Sequence, residues 1–227
     1  MSLAFPLPPI PTLKVEEGGE YAVRRIFCVG RNYAEHTREM GHEPTPEAPF
    51  YFTKSPAHMV RADADIPFPP ETADYHHEVE LAVALGADVF RASEEEAAAA
   101  AWAYAVALDM TRRDRQQEGK DRRRPWDLGK DVEASAVVGT LRRDFEPADQ
   151  RIEMRLNGEL RQDGRLSDMI HGVPAIVADL SRFYHLGPGD LILTGTPAGV
   201  GKVEAGDAIM ARVEGLPPFD LRIGPPL

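Results

Sequence analysis

The run His76-His77-Glu78-Val79-Glu80-Leu81-Ala82-Val83-Ala84-Leu85-Gly86 decides how this chain is read, together with the second apolar run that follows it, Ala103-Tyr104-Ala105-Val106-Ala107-Leu108-Asp109. Residues 79–85 have the length and apolar character of a buried strand, yet three carboxylates flank or interrupt the two runs. Side chains alternate along a strand, so Glu78 and Glu80 share one face about 6.6 Å apart. Two ionised carboxylates at that spacing repel by about 2.5 kcal/mol at an effective dielectric of ~20, and burial adds a desolvation cost for each. Protonating one acid would compensate, and so would an arginine. The third acid, Asp109, favours a hard divalent cation with oxygen ligands, Mg2+ or Mn2+. A zinc site is disfavoured, because His77-Glu78-Val79-Glu80-Leu81 lacks a second histidine four residues after the first.

Working outward, the chain reads as many short strands with two or three helices. Residues 1–20, rich in Pro and Gly, read as an extended N-terminal arm, followed by one catalytic domain over 21–227. A strand over Tyr21–Val29 ends at Gly30, and residues 42–75 read as loops with brief strands. Ser93 and Glu96 form a capping box that opens a helix through the alanines at 97–101. Residues 151–162 read as a β-hairpin turning at Asn157-Gly158. A second helix opens near Pro174, buries Ile176, Val177, Leu180 and Tyr184, and stops at Gly187. Late strands follow at 191–194 and 208–213. Strand and helix do not alternate regularly, so the fold class is α+β or mainly β rather than a doubly wound sheet. The loop 194–202 ends in Gly-Lys but fails the phosphate-loop pattern, since Thr196 stands at its first glycine and Val203 where Ser or Thr is needed. It reads as a tight loop approaching a ligand.

Composition limits the function classes. The chain has 227 residues, of which 43% are hydrophobic, enough for one sizeable core. No stretch approaches the ~18 apolar residues of a membrane span. The formal net charge of −11 argues against nucleic acid or an anionic membrane as partner. The N-terminus lacks a signal-peptide pattern, and the one cysteine, Cys28, lies in an apolar run, so the expected location is the cytoplasm.

Two further segments carry candidate chemistry. Between Gly30 and Gly41 a short helix places His36 and Glu39 one turn apart, where a carboxylate fixes the imidazole tautomer and leaves the other nitrogen free as a base. Immediately after Asp109, residues 112–124 hold seven cations against three acids. Most of such a run is ordinary solvated surface, but Arg113 and Gln116 are placed to reach a substrate carboxylate beside the metal.

In order along the chain, Gly30-Arg31-Asn32-Tyr33-Ala34-Glu35-His36, His77-Glu78-Val79-Glu80-Leu81, Leu108 to Gln116, Pro125-Trp126-Asp127-Leu128-Gly129-Lys130, Asn157 to Gln162 and Leu193 to Gly201 resemble the fumarylacetoacetate hydrolase family. The resemblance spans about Arg25 to Val213, and the flanking residues 5–9, 24–29 and 39–44 look most like the fumarylpyruvate-cleaving branch of gentisate breakdown. It implies a mixed β-roll core, a homodimer, and Mg2+ or Mn2+ on Glu78, Glu80 and Asp109. It further implies a base dyad of His36 and Glu39, an active-site Lys130, substrate contacts at Arg113 and Gln116, and a substrate-facing Thr196. The implied reaction is hydrolysis of a carbon–carbon bond in a 2,4-dioxo acid; acylpyruvate hydrolysis, oxaloacetate decarboxylation, isomerisation and hydration are alternatives on the same scaffold. One departure stands out: Asp131-Val132-Glu133 follows the lysine, where relatives commonly carry Gly or Ser, Phe, then Asp.

Overall fold

A computed structural model describes residues 5–226 apart from 7, 42 and 44–46. Residues 1–4 and 7 of the expected arm, and 42 and 44–46 of the expected loop stretch, therefore lie outside the described residues. The centre is a mixed seven-stranded sheet in the order Phe50–Lys54, Arg25–Gly30, Asp190–Leu193, Val79–Leu85, Ala101–Asp109, Ala136–Val138, Met59–Arg61. Its two edge strands are joined by residues 55–58 alone, a reach of at most about 18 Å. A flat sheet of seven strands would hold its edges about 29 Å apart. The sheet must therefore curl into a half-barrel, and it brings the C-terminal end of Phe50–Lys54 over the middle strands.

The central strand Val79–Leu85 is buried on both faces, and its two faces carry different side chains. Val79, Leu81, Val83 and Leu85 pack with Ile152, Met154 and Val213 of a second sheet, ordered Glu159–Arg165, Arg151–Leu156, Ala208–Val213, Phe219–Pro226, Ile66–Phe68. Ala82 and Ala84 instead face Leu13, Tyr21, Leu191 and Leu193. Thr12–Lys14 pairs antiparallel with Glu20–Ala22, and Leu13 is fully buried in this smaller cluster. A three-stranded sheet of Thr111–Arg112, Tyr75–His77 and Gly201–Val203 closes the end where the acids sit.

The α+β class with a β-roll core is what the sequence led one to expect, and the capping box at Ser93 is formed as read, with Glu96 bonding back to the Ser93 backbone. The hairpin turns at Asn157 and Gly158, both at positive φ, as its type of turn requires. Two local readings need correction. The strand expected over Tyr21–Val29 is two strands, because Glu20–Ala22 pairs with Thr12–Lys14 whereas Arg25–Gly30 pairs with Asp190–Leu193 and the chain changes partners at Val23 and Arg24. The second helix spans Val173–Ser181 and stops well before Gly187; Tyr184 is 43% exposed rather than buried. There Leu186 pairs with Val89, which pulls the chain off the helical path. The strand expected over 79–85 forms with those bounds, and Glu78 lies between it and Tyr75–His77.

Candidate active site and metal centre

Strand register assembles the acids. Val79 pairs with Leu108, and the Asp109 amide donates to the Glu78 carbonyl at 2.9 Å, so Asp109 lies directly across from Glu78. One oxygen from each of Glu78, Glu80 and Asp109 falls within 4.8 Å of the others, and all three residues are buried. Glu78 and Asp109 are compensated by cations. Lys130 Nζ donates to Glu78 Oε2 at 2.8 Å and to Asp109 Oδ2 at 2.6 Å, while Arg113 Nη2 pairs with Glu78 Oε1. Lys54 Nζ lies 2.8 Å from Asp109 Oδ1.

What compensation leaves over is specific. Lys54 directs its donors at Met110 O (3.2 Å), Ser135 Oγ (2.9 Å) and Lys130 O, so Asp109 Oδ1 receives charge without an aligned hydrogen bond. Among the described residues Glu80 accepts one hydrogen bond, from the Gly195 amide at 2.7 Å. Burial, then the charges of Asp109 and Glu78, push its carboxyl well above the usual range. Burial also works against Glu78, but Lys130 and Arg113 outweigh it and hold that carboxyl well below its usual value. An all-oxygen donor set with one orphaned buried oxygen and one disfavoured carboxylate fits a hard divalent cation.

The remaining residues singled out in the sequence meet at the same place. His36, Arg113, Gln116, Lys130 and Thr196 line one cavity with the three acids. Glu39 stands behind His36, with Oε2 at 3.1 Å from Nδ1. The helix Ala34–Glu39 carries the pair, and the Gly199 amide reaches both Glu39 oxygens at 3.1 and 3.2 Å. Thr196 Oγ1 donates to Val79 O at 2.8 Å and accepts from Gln162 Nε2 at 2.7 Å; its hydroxyl is thus engaged by the protein while its side chain borders the cavity. Gln116 Oε1 accepts from Arg113 Nη1 at 2.7 Å, which orients the guanidinium.

Three residues were given no role from the sequence. Lys54 is fully buried, and only the curl of the sheet brings it to Asp109, so no local pattern marks it. Asn32 Nδ2 donates to Thr194 O (2.8 Å) and His171 O (2.9 Å), tying the approach to the His36 helix to the loop after Asp190–Leu193. Gln162 Oε1 accepts from the Val79 amide at 3.0 Å and lies 3.0 Å from His77 Nδ1, holding the strand that bears Glu80. Asn32 and Gln162 sit inside recognisable motifs; their signal was the motif, not their chemistry.

Fold and site together define a class: a curled β-roll whose cavity sets three buried carboxylates beside a histidine–glutamate pair and several cations. The chain belongs to the fumarylacetoacetate hydrolase family, whose model, "Fumarylacetoacetate (FAA) hydrolase C-terminal", matches residues 25–223. It is 46% identical over 181 residues to a fumarylpyruvate hydrolase of a Ralstonia species, covering 79% of this chain and 94% of the relative. It is 37% identical over 200 residues to oxaloacetate tautomerase YcgM of Escherichia coli, covering 86% and 91%. The fumarylpyruvate hydrolase of Pseudomonas aeruginosa, solved in complex with Mn2+ and pyruvate, superposes with a TM-score of 0.96 at 38% identity, over 98% of this chain and 99% of that one.

Proposed function

We propose that this protein hydrolyses the carbon–carbon bond between C3 and C4 of a 2,4-dioxo acid, with fumarylpyruvate as substrate and fumarate and pyruvate as products. The observation that carries this reading is the His36–Glu39 pair on the wall of the cavity that holds the acid triad, since hydrolysis needs a base positioned to activate water. Similarity to fumarylpyruvate hydrolases in sequence and structure supports the choice of substrate.

Glu78, Glu80 and Asp109 would hold Mg2+ or Mn2+, whose charge would stabilise the negative charge developing on the departing pyruvate. Arg113, oriented by Gln116, binds the pyruvyl carboxylate and fixes the scissile bond relative to the base. With its Nδ1–H directed at Glu39, His36 keeps Nε2 free to take a proton from water, and Glu39 stabilises the imidazolium. The water oxygen bonds to C4, the C3–C4 bond breaks, and its electron pair passes to C3 of pyruvate, which then accepts a proton. Two Lys130 protons are committed to Glu78 and Asp109; the third can offset the C4 oxyanion. A cytoplasmic homodimer in gentisate breakdown belongs to the same reading, supported by the family resemblance and the buried thiol of Cys28.

A second reading is supported by the relatives that are oxaloacetate tautomerases: enolisation needs the metal site and a base that moves the α proton, but no attacking water. Incubating the protein with fumarylpyruvate, acetylpyruvate and oxaloacetate in the presence of Mg2+ separates the two. Release of fumarate and pyruvate in equal amounts supports hydrolysis, whereas rapid oxaloacetate enol–keto exchange with no cleavage of either acylpyruvate would replace it with the tautomerase reading.

A further inference from the structure

The helix Arg113–Asp121 carries a second cation into the cavity, one that the reaction above does not use. Arg113, Gln116 and Lys120 stand at i, i+3 and i+7, one stripe of a helix, and all three line the site. Lys120 is partly buried, and its Nζ lies 5.2 Å from the centroid of the Trp126 ring. That ring is braced by Phe50 and Phe52, at centroid distances of 5.0 and 6.2 Å. The acids of its own helix are already engaged: Asp114 with Thr72 and the Ala73 amide, Glu118 with Arg115 and Arg122, Asp121 with Gln117. Among the described residues Lys120 has no carboxylate partner.

We infer that Lys120 is a specificity residue, which binds a second carboxylate at the far end of the substrate and makes the site selective for dicarboxylic over monocarboxylic oxo acids. This rests on the proposed dioxo-acid chemistry for its orientation, with the first carboxylate at Arg113. Seven residues of helix set the Cα atoms of Arg113 and Lys120 about 10.5 Å apart. A seven-carbon diacid places its two carboxyl carbons about 7.5 Å apart when extended, six bonds of roughly 1.5 Å in zigzag, so two inward-reaching side chains can clasp it. Charge points the same way. Lys54, Lys130 and Arg113 already match the three acids in number, so a divalent cation and Lys120 leave the cavity positive, suited to a dianion. Burial, followed by the charges of Arg113 and Arg31, lowers the pKa of Lys120, as befits an ammonium group awaiting an anion.

The test uses the non-cleavable pair 2-oxoheptanedioate and 2-oxoheptanoate, equal in length and differing in the distal carboxylate, titrated calorimetrically into Mn2+-loaded protein. Wild type should bind the diacid at least about tenfold more tightly, as a charge-assisted pair in a partly buried site allows, and the ratio should shrink in high salt. Lys120→Met should bring the ratio close to one with the monoacid affinity unchanged, and Lys120→Arg should keep most of it. A wild-type ratio near one overturns the inference without any variant. So does a Lys120→Met protein that keeps the ratio, or one that loses both ligands equally, since the lysine then only braces Trp126. A clear diacid preference in a protein that fails to cleave fumarylpyruvate would count against the hydrolase reading and for this one.

Discussion

Lys54 and Glu80 show how single side chains set the character of the site. Lys54 is fully buried and bonds to groups on three segments. Lys54→Met leaves Asp109 and two backbone carbonyls without their cation, and breaking a buried pair from one side costs about 3–5 kcal/mol. A fall in thermal midpoint far larger than that of Lys120→Met is the expected result of a melting comparison. Glu80 behaves in the opposite sense. Its folded pKa lies above the ordinary 4.5, so its contribution to metal-free stability is complete below that value and is lost as pH rises through the raised one. A bound cation removes this loss by favouring the carboxylate. The rise in melting temperature on adding Mn2+ should therefore grow from acidic to neutral pH; a rise independent of pH would show that Glu80 is ionised before metal arrives. For His36→Ala, hydrolysis should drop roughly 100-fold or more, the usual share of a positioned base, with Mn2+ affinity nearly unchanged and oxaloacetate exchange less affected. Glu39→Gln should lose less, since an amide still orients the ring. Near-native hydrolysis together with lost metal would make His36 a ligand instead.

Elements were legible in the sequence where their signals are local. The Ser93–Glu96 capping box and the Asn157-Gly158 turn each close within four residues, and both form as read. The acids were legible for the same reason: alternation puts Glu78 and Glu80 on one face whatever surrounds them. Partner exchange at Val23 and Arg24 was not, because it depends on which strand lies alongside, nor was the early end of the helix at Ser181, where Leu186 is drawn to Val89. The loop after Asp190–Leu193 joins both categories, as a glycine-rich stretch read correctly as tight but whose anchors are distant. Gly195 has φ +97, and a Cβ there would stand 2.8 Å from Asn32 Cβ. Gly195→Ala should thus destabilise the protein by about 1–3 kcal/mol and displace the amide that holds Glu80. Metal affinity should fall at least several-fold by calorimetry; unchanged affinity would mean that the Gly195 amide does not position Glu80.

At the scale of the whole molecule, the curl of the seven-stranded sheet converts a chain-distant set of residues into one cavity. Residues 36, 54, 78, 109, 130 and 196 come from separate elements, and only closure of the sheet by the short link at 55–58 lets Lys54 meet Asp109 and Ser135. Family motifs carried most of this site, since they record tertiary proximity that periodicity cannot. Lys54 escaped because a lysine ending an aromatic strand reads as surface. The central claim is that this assembled cavity performs metal-dependent carbon–carbon hydrolysis. It is tested most directly by following fumarylpyruvate with protein that has been stripped by a chelator and then reloaded with Mg2+ or Mn2+. The expected result is no cleavage by the stripped protein and, after reloading, equimolar fumarate and pyruvate. Full turnover by the stripped protein, or none by the reloaded one, would contradict the account.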